Sequence, residues 1–155
     1  VDSIPWPAFD VFPIEHYRLI GMPHSGPTDF VMPVLSGRGC TFLCNFCYRM
    51  DEGYRERSTE AIIEEISFLQ KEYGITYIKF DDDLLMCSET RTETLCRAIL
   101  KAGLKFKWFC NGRLNYAKSD LLKLMKEAGC VFINYGIEAF DDEALRTMNK
   151  ELTTK

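Results

Sequence analysis

Four short apolar runs alternate with stretches of helical spacing along this chain, and that alternation leaves few folds open. The runs are FVMPVL from Phe30, ITYIKF from Ile75, KFKWFC from Lys105 and VFINYGIEA from Val131, each emptying into a polar or glycine-containing turn. Between the first two, Ser58 to Tyr73 sets Ile62, Ile66 and Leu69 at helical spacing, with Ser58 as N-cap and Gly74 just past the end. Ser88 caps a second helix through Leu100 that stops at Gly103. Ser119 caps a third through Ala128 that stops at Gly129, and a fourth opens at Asp141. Strands that alternate with helices imply right-handed βαβ units, hence an α/β fold with parallel strands and outer helices. Periodicity satisfies an open sheet and a barrel equally.

The first thirty residues break that pattern. Pro5, Pro7, Pro13, Pro23 and Pro27 fall among Trp6, Phe9, Phe12 and Tyr17, so neither helix nor long strand is expected. An extended arm pinned by aromatic anchors is the expectation for residues 1–30, with one domain over residues 31–155. At 155 residues and 46% hydrophobic content the chain supports one real core. The missing initiator Met and the end at KELTTK, within a helical stretch, point to an excerpt of a longer polypeptide. A net charge of −4 supplies no basic field, so no nucleic-acid partner is expected. No apolar run reaches the roughly 20 residues of a membrane helix, and VDSIPWPAFD lacks the plan of a signal peptide. The expected setting is cytoplasmic, away from membranes.

Seven cysteines in such a chain argue for metal binding over a disulfide framework, because the count is odd and the expected compartment reducing. Cys40, Cys44 and Cys47 stand at spacing C-x₃-C-x₂-C directly after the first strand, where the loops of parallel α/β domains build their sites. Gly37 and Gly39 allow the backbone to bend around a bulky ligand there. Soft thiolates this close suit zinc or an iron–sulfur cluster, and three of them leave one metal position open for chemistry. The competing reading is a zinc knuckle completed by Cys87, Cys110 or Cys130. No second short-spaced pair supports it. Cys96, Cys110 and Cys130 lie in apolar company and read as small hydrophobes.

The stretch SGRGCTFLCNFCYR resembles the signature of the radical SAM superfamily. That resemblance implies a partial (β/α)₆ TIM-like barrel, here truncated after about four βα units. It also implies a [4Fe–4S] cluster on Cys40, Cys44 and Cys47, whose fourth iron chelates S-adenosylmethionine. One-electron reduction of that assembly yields methionine and a 5′-deoxyadenosyl radical, the hard chemistry being the cofactor's. By the same resemblance Tyr48 lies next to the adenine. Asp81, Asp82 and Asp83 replace the family's Gly-Gly-Glu stretch, and Asp82, then Asp83, faces the ammonium. Arg113 pairs with the methionine carboxylate. Glu138 in YGIEAF accepts from the ribose hydroxyls, with Ala139 where the family has Ser. His16 and His24, with no partner carboxylate or metal spacing, read as ordinary surface or packing residues.

The arm DSIPWPAFDVFP resembles the connector to a cobalamin-binding domain in one branch of that superfamily, and FDDDLL, NGR and GIEAFDDEALRTMNK point the same way. The branch implies a cobalamin-dependent methyltransferase or cyclase, with cobalamin bound through a domain outside this chain. It further implies a small-molecule substrate and an electron donor such as flavodoxin or ferredoxin. Two alternatives stand beside it: a methylthiotransferase-like radical SAM protein without cobalamin, and a non-catalytic zinc or iron–sulfur module. No catalytic residue is assigned, because substrate groups usually come from later strands.

Overall fold

The computed structural model describes residues 1–48 and 53–154. In chain order its elements are α1 (Ile14–Tyr17), β1 (Val31–Val34), β2 (Gly37–Gly39), β3 (Tyr54–Glu56), α2 (Thr59–Tyr73), β4 (Tyr77–Phe80), α3 (Glu89–Lys101), β5 (Lys107–Gly112), α4 (Ser119–Glu127), β6 (Cys130–Tyr135) and α5 (Asp142–Thr147). The caps follow the local chemistry. Ser58, Ser88 and Asp141 accept the amides of Ala61, Arg91 and Ala144, and Gly74 takes a left-handed φ of 67° to end α2. Ser119 is the exception: it is the first residue of α4, and Lys118 holds the cap position without a side-chain bond. A 3₁₀ turn at Leu114–Tyr116 delivers the chain to the helix one residue early.

The main sheet has the order β1-β4-β5-β6, all parallel. Chain order equals spatial order, so every crossover steps one strand in the same direction. That is the winding of a barrel, and it resolves what periodicity left open. The barrel is not closed: β1 and β6 are the two edges of this sheet. Pro33, which has no N–H to donate, lies on edge strand β1.

Alternate strand residues Met32, Val34, Ile78, Phe80, Trp108 and Cys110 share one core with Ile62, Ile66 and Leu69 of α2, Leu95 and Ile99 of α3, and Leu121 and Met125 of α4. Cys96 and Cys110 lie wholly within it, and Cys130 packs against it, as expected of structural thiols.

The arm departs from an extended chain. It forms a 3₁₀ turn at Phe9–Val11 and the single turn α1. These turns lie between or after prolines, and proline breaks a helix only from its interior. Trp6 and Phe9 pack on Phe68 and Tyr73 of α2, with ring centroids 5.1 Å (Trp6–Phe68) and 5.9 Å (Phe9–Tyr73) apart, whereas Phe12 and Tyr17 stay exposed. His24 stacks on Phe132 of β6 at 3.6 Å, a packing role.

One element has no counterpart in the apolar pattern. β2 and β3 form an antiparallel ribbon that brackets the cysteine segment, pairing Gly37 with Glu56 and Gly39 with Tyr54. Gly39 has φ 81°, and a Cβ there would lie 2.1 Å from the Gly53 carbonyl oxygen. Its freedom therefore serves close approach within the ribbon. Gly74 shares the left-handed backbone but faces open space. Gly74→Ala should cost about 1–2 kcal/mol, and Gly39→Ala distinctly more, in urea unfolding of the two variants beside the parent. Equal losses would contradict the steric account of the ribbon.

Candidate metal centre

The three cysteines lie on the loop that leaves β2. The amide of Cys40 donates to the Gly53 carbonyl at 3.2 Å, which closes the loop's base, and that of Cys47 donates to the Cys44 carbonyl at 3.3 Å. Cys44 is buried, Cys40 half-buried and Cys47 exposed. Among the described residues no three His, Cys, Asp or Glu side chains form a ready ligand set for a single ion. Burial raises the Cys40 thiol above its ordinary range, the amide of Phe42 and the Arg113 guanidinium oppose that, and the neighbouring thiols Cys44 and Cys47 add to it.

Arg113 follows β5 and reaches this loop. Its Nη1 donates to Cys44 Sγ at 3.3 Å, its Nε donates to Asn115 Oδ1 at 3.2 Å, and the guanidinium lies 3.6 Å from the centre of the Phe42 ring. Among the described residues its buried Nη2 has no hydrogen-bond partner. The structure thus brings Arg113 to the cysteines.

A second set of contacts comes from the end of α5. The Asn45 amide donates to the Met148 carbonyl at 2.9 Å, and its Nδ2 donates to Thr147 O at 2.8 Å. Asn149 Nδ2 donates to Leu43 O at 2.8 Å, and Asn115 Nδ2 to Glu151 O at 2.7 Å. Asn149 and Glu151 both take left-handed φ values, 52° and 54°, so that the chain can turn against the loop.

Glu138 lies past the end of β6, which stops at Tyr135, earlier than the VFINYGIEA run suggested. The left-handed φ of 67° at Glu138 takes the chain out of strand geometry. Its Oε1 accepts from buried Lys150 Nζ at 3.1 Å, and Lys150 sits 5.5 Å from the centre of the Phe46 ring on the cysteine loop. Glu138 is therefore near the loop, with Lys150 as a partner. Asn45, Asn115, Asn149 and Lys150 were not singled out in the sequence. The one signal was at Asn149, an asparagine just past a helix, where it tolerates left-handed backbone.

The acidic run after β4 behaves otherwise than expected. Asp82 is buried, and its carboxylate accepts from Ser36 N at 2.8 Å, Ser36 Oγ at 2.8 Å and Gly37 N at 2.6 Å. Because β1 and β4 pair Val34 with Phe80, the residue two past Phe80 stands beside the residue two past Val34. The carboxylate expected to face an ammonium thus anchors the start of the ribbon. Arg91 braces the same point, donating to Ser36 O at 2.6 Å and pairing with Glu56 at 2.8 Å. Asp81 pairs with Lys79 at 2.7 Å, and Asp83 is exposed. Asn111 Nδ2 donates to Asp82 O at 2.9 Å and Asn134 Nδ2 to Asn111 Oδ1 at 3.2 Å, tying the carboxyl ends of β4, β5 and β6 together. Tyr48 is 89% exposed, and the residues that follow it, 49–52, lie outside the described ones.

A singly wound parallel α/β sheet with a three-thiol loop at the carboxyl end of its first strand defines a class of barrel-type cofactor domain. The model of the Radical SAM superfamily matches residues 34–155, and the chain belongs to that superfamily. Membership carries [4Fe–4S] and S-adenosylmethionine as the cofactor pair. An uncharacterized methyltransferase of Pyrococcus horikoshii is 34% identical over 99% of this chain and 32% of its own length. The anaerobic magnesium-protoporphyrin IX monomethyl ester cyclase of Cereibacter sphaeroides is 34% identical over 75% of this chain and 20% of its own length. Among solved structures, the methyltransferase TsrM from Kitasatospora setae, with cobalamin and a [4Fe–4S] cluster bound, superposes with a TM-score of 0.73 at 19% identity. It covers 90% of this chain and 27% of its own. The cobalamin-dependent radical enzyme OxsB gives 0.64 at 21% identity, over 83% of this chain and 21% of its own. The chain spans about a third or less of the length of these proteins. No helix among the described residues is long and apolar enough to cross a membrane.

Burial raises the Asp82 carboxyl to about 6, against hydrogen bonds from Ser36 and Gly37 and the charge of Arg91 that lower it. A carboxyl raised on folding contributes stability that is complete below its unfolded pKa and is lost as pH rises through about 6. In Asp82→Asn the amide oxygen still accepts the two backbone N–H groups, and Nδ2 donates to Ser36 Oγ. The stability of Asp82→Asn relative to the parent should therefore rise between about pH 4 and pH 7, measured by urea unfolding at each pH. A difference that stays flat would contradict the buried carboxylate.

Proposed function

We propose that this chain is the cluster-binding and S-adenosylmethionine-binding part of a radical enzyme of the cobalamin-associated branch. The observation that carries the reading is the contact of a buried guanidinium, Arg113, with Cys44 in a loop bearing three thiols. The donor set fits a [4Fe–4S] cluster: three soft sulfurs on one loop, with a cation beside them to offset thiolate charge. Cys40, Cys44 and Cys47 would hold three irons. Bound there, the cluster and S-adenosylmethionine supply a 5′-deoxyadenosyl radical by one-electron cleavage of the sulfonium.

The protein's part is to bind, orient and exclude water. Arg113 offers its unpartnered Nη2 to the methionine carboxylate. Of the two acidic candidates Asp83 keeps its carboxylate exposed for the ammonium, while Asp82 holds the ribbon from which the cysteine loop departs. Glu138, oriented by Lys150, accepts from the ribose hydroxyls, and the exposed ring of Tyr48 covers the adenine.

A methyltransferase or cyclase acting on a small molecule is the reading that the two relatives support, with cobalamin carried outside this chain, as the cobalamin-dependent neighbours of this chain's fold support. An electron donor of the flavodoxin or ferredoxin kind supplies the reductant. Reconstituted anaerobically with iron and sulfide, the full-length protein should be brown, and each of Cys40→Ala, Cys44→Ala and Cys47→Ala should lose most of its iron in metal analysis. Cobalt should copurify with the parent. A colourless parent holding one zinc would sink the proposal.

A further inference from the structure

Burying a guanidinium is expensive unless an anion or several acceptors compensate for lost water. Arg113 is 5% exposed, and the side chains it is seen to engage are Phe42, Asn115 and Cys44. Among the described residues no carboxylate stands with them. The acceptor that meets this cation on the cysteine loop is Cys44 Sγ, 3.3 Å from Nη1; as a cluster ligand that sulfur would carry negative charge and make the contact a charge-assisted N–H···S bond. The guanidinium is also held fast: Asn115 accepts from Nε and is itself fixed by donating to Glu151 O.

We infer that Arg113 is a positioning residue that sets the reduction potential of the cluster through Cys44, a role that rests on the cluster reading above. Donors to the ligand sulfurs and net charge near the cluster are the protein's levers on potential. A cation that donates to a ligand sulfur stabilises the more negative, reduced cluster. Arg113 thus raises the potential and makes one-electron reduction easier. It does so from the carboxyl end of β5, so the contact depends on the packing of the barrel and not on the cysteine loop alone. Asn115 maintains the effect by fixing the fork.

The test is a redox titration of the full-length, anaerobically reconstituted protein followed by electron paramagnetic resonance, without S-adenosylmethionine. Parent, Arg113→Gln, Arg113→Lys and Asn115→Ala are compared at matched iron content. Arg113→Gln should shift the ratio of oxidised to reduced cluster at a fixed potential by about tenfold toward oxidised, which for one electron is about 59 mV more negative. Arg113→Lys, which keeps the charge and loses the fork, should fall between it and the parent, and Asn115→Ala should move in the same direction. A full cluster with an unmoved potential in Arg113→Gln overturns the assignment. If that variant does not fold, an unmoved potential in Asn115→Ala overturns it equally. A parent that takes up zinc in place of iron overturns the cluster reading and this one together, so the two failures are told apart by metal content.

Discussion

Parallel strands cannot be joined by a tight turn, so each must return to the start of the sheet through a crossover, and all their carboxyl ends gather on one side. Everything in the site depends on that constraint. The cysteine loop follows β1 and its ribbon, the acidic run follows β4, Arg113 follows β5 and Glu138 follows β6. Single-direction winding then sets those four segments side by side in chain order. A doubly wound sheet would have reversed the order at some strand and separated them.

Within that frame, the contacts divide into two groups with different tasks. Asp82, Ser36, Gly37 and Arg91 join the ends of β1 and β4 to the ribbon, and their polar groups are largely consumed in doing so. Arg113, Asn115, Lys150 and Glu138 lie closer to the loop and keep unspent capacity, most plainly at Arg113 Nη2. The first group holds a geometry. The second lies against the cysteine loop: Arg113 donates to Cys44 from the end of β5, and Lys150, past α5, holds Glu138.

Much of the fold was legible because its signals are local. The helix caps at Ser58 and Ser88, the stop at Gly74 and the apolar strand runs depend on neighbours a few residues away. The three-thiol loop was legible from spacing alone. The ribbon was not, since strands as short as Gly37–Gly39 and Tyr54–Glu56 carry no period, and glycine there marks close approach. The engagement of Asp82 depends on the register of β1 against β4, and the seat made by Asn149 depends on a contact with Leu43, far off in sequence. Neither leaves a trace in composition or spacing. The turns of the arm are not legible in a count of prolines, which ignores where in a turn each one falls.

In the proposed cluster site three cysteines leave one iron open to S-adenosylmethionine. The most direct measurement of that open iron is the electron paramagnetic resonance spectrum of the reduced full-length protein with and without S-adenosylmethionine. The protein should hold about four irons per chain and give a cluster signal that changes on addition, because the ligand enters the open iron's coordination. A reduced cluster whose spectrum is unmoved by saturating S-adenosylmethionine would contradict that coordination.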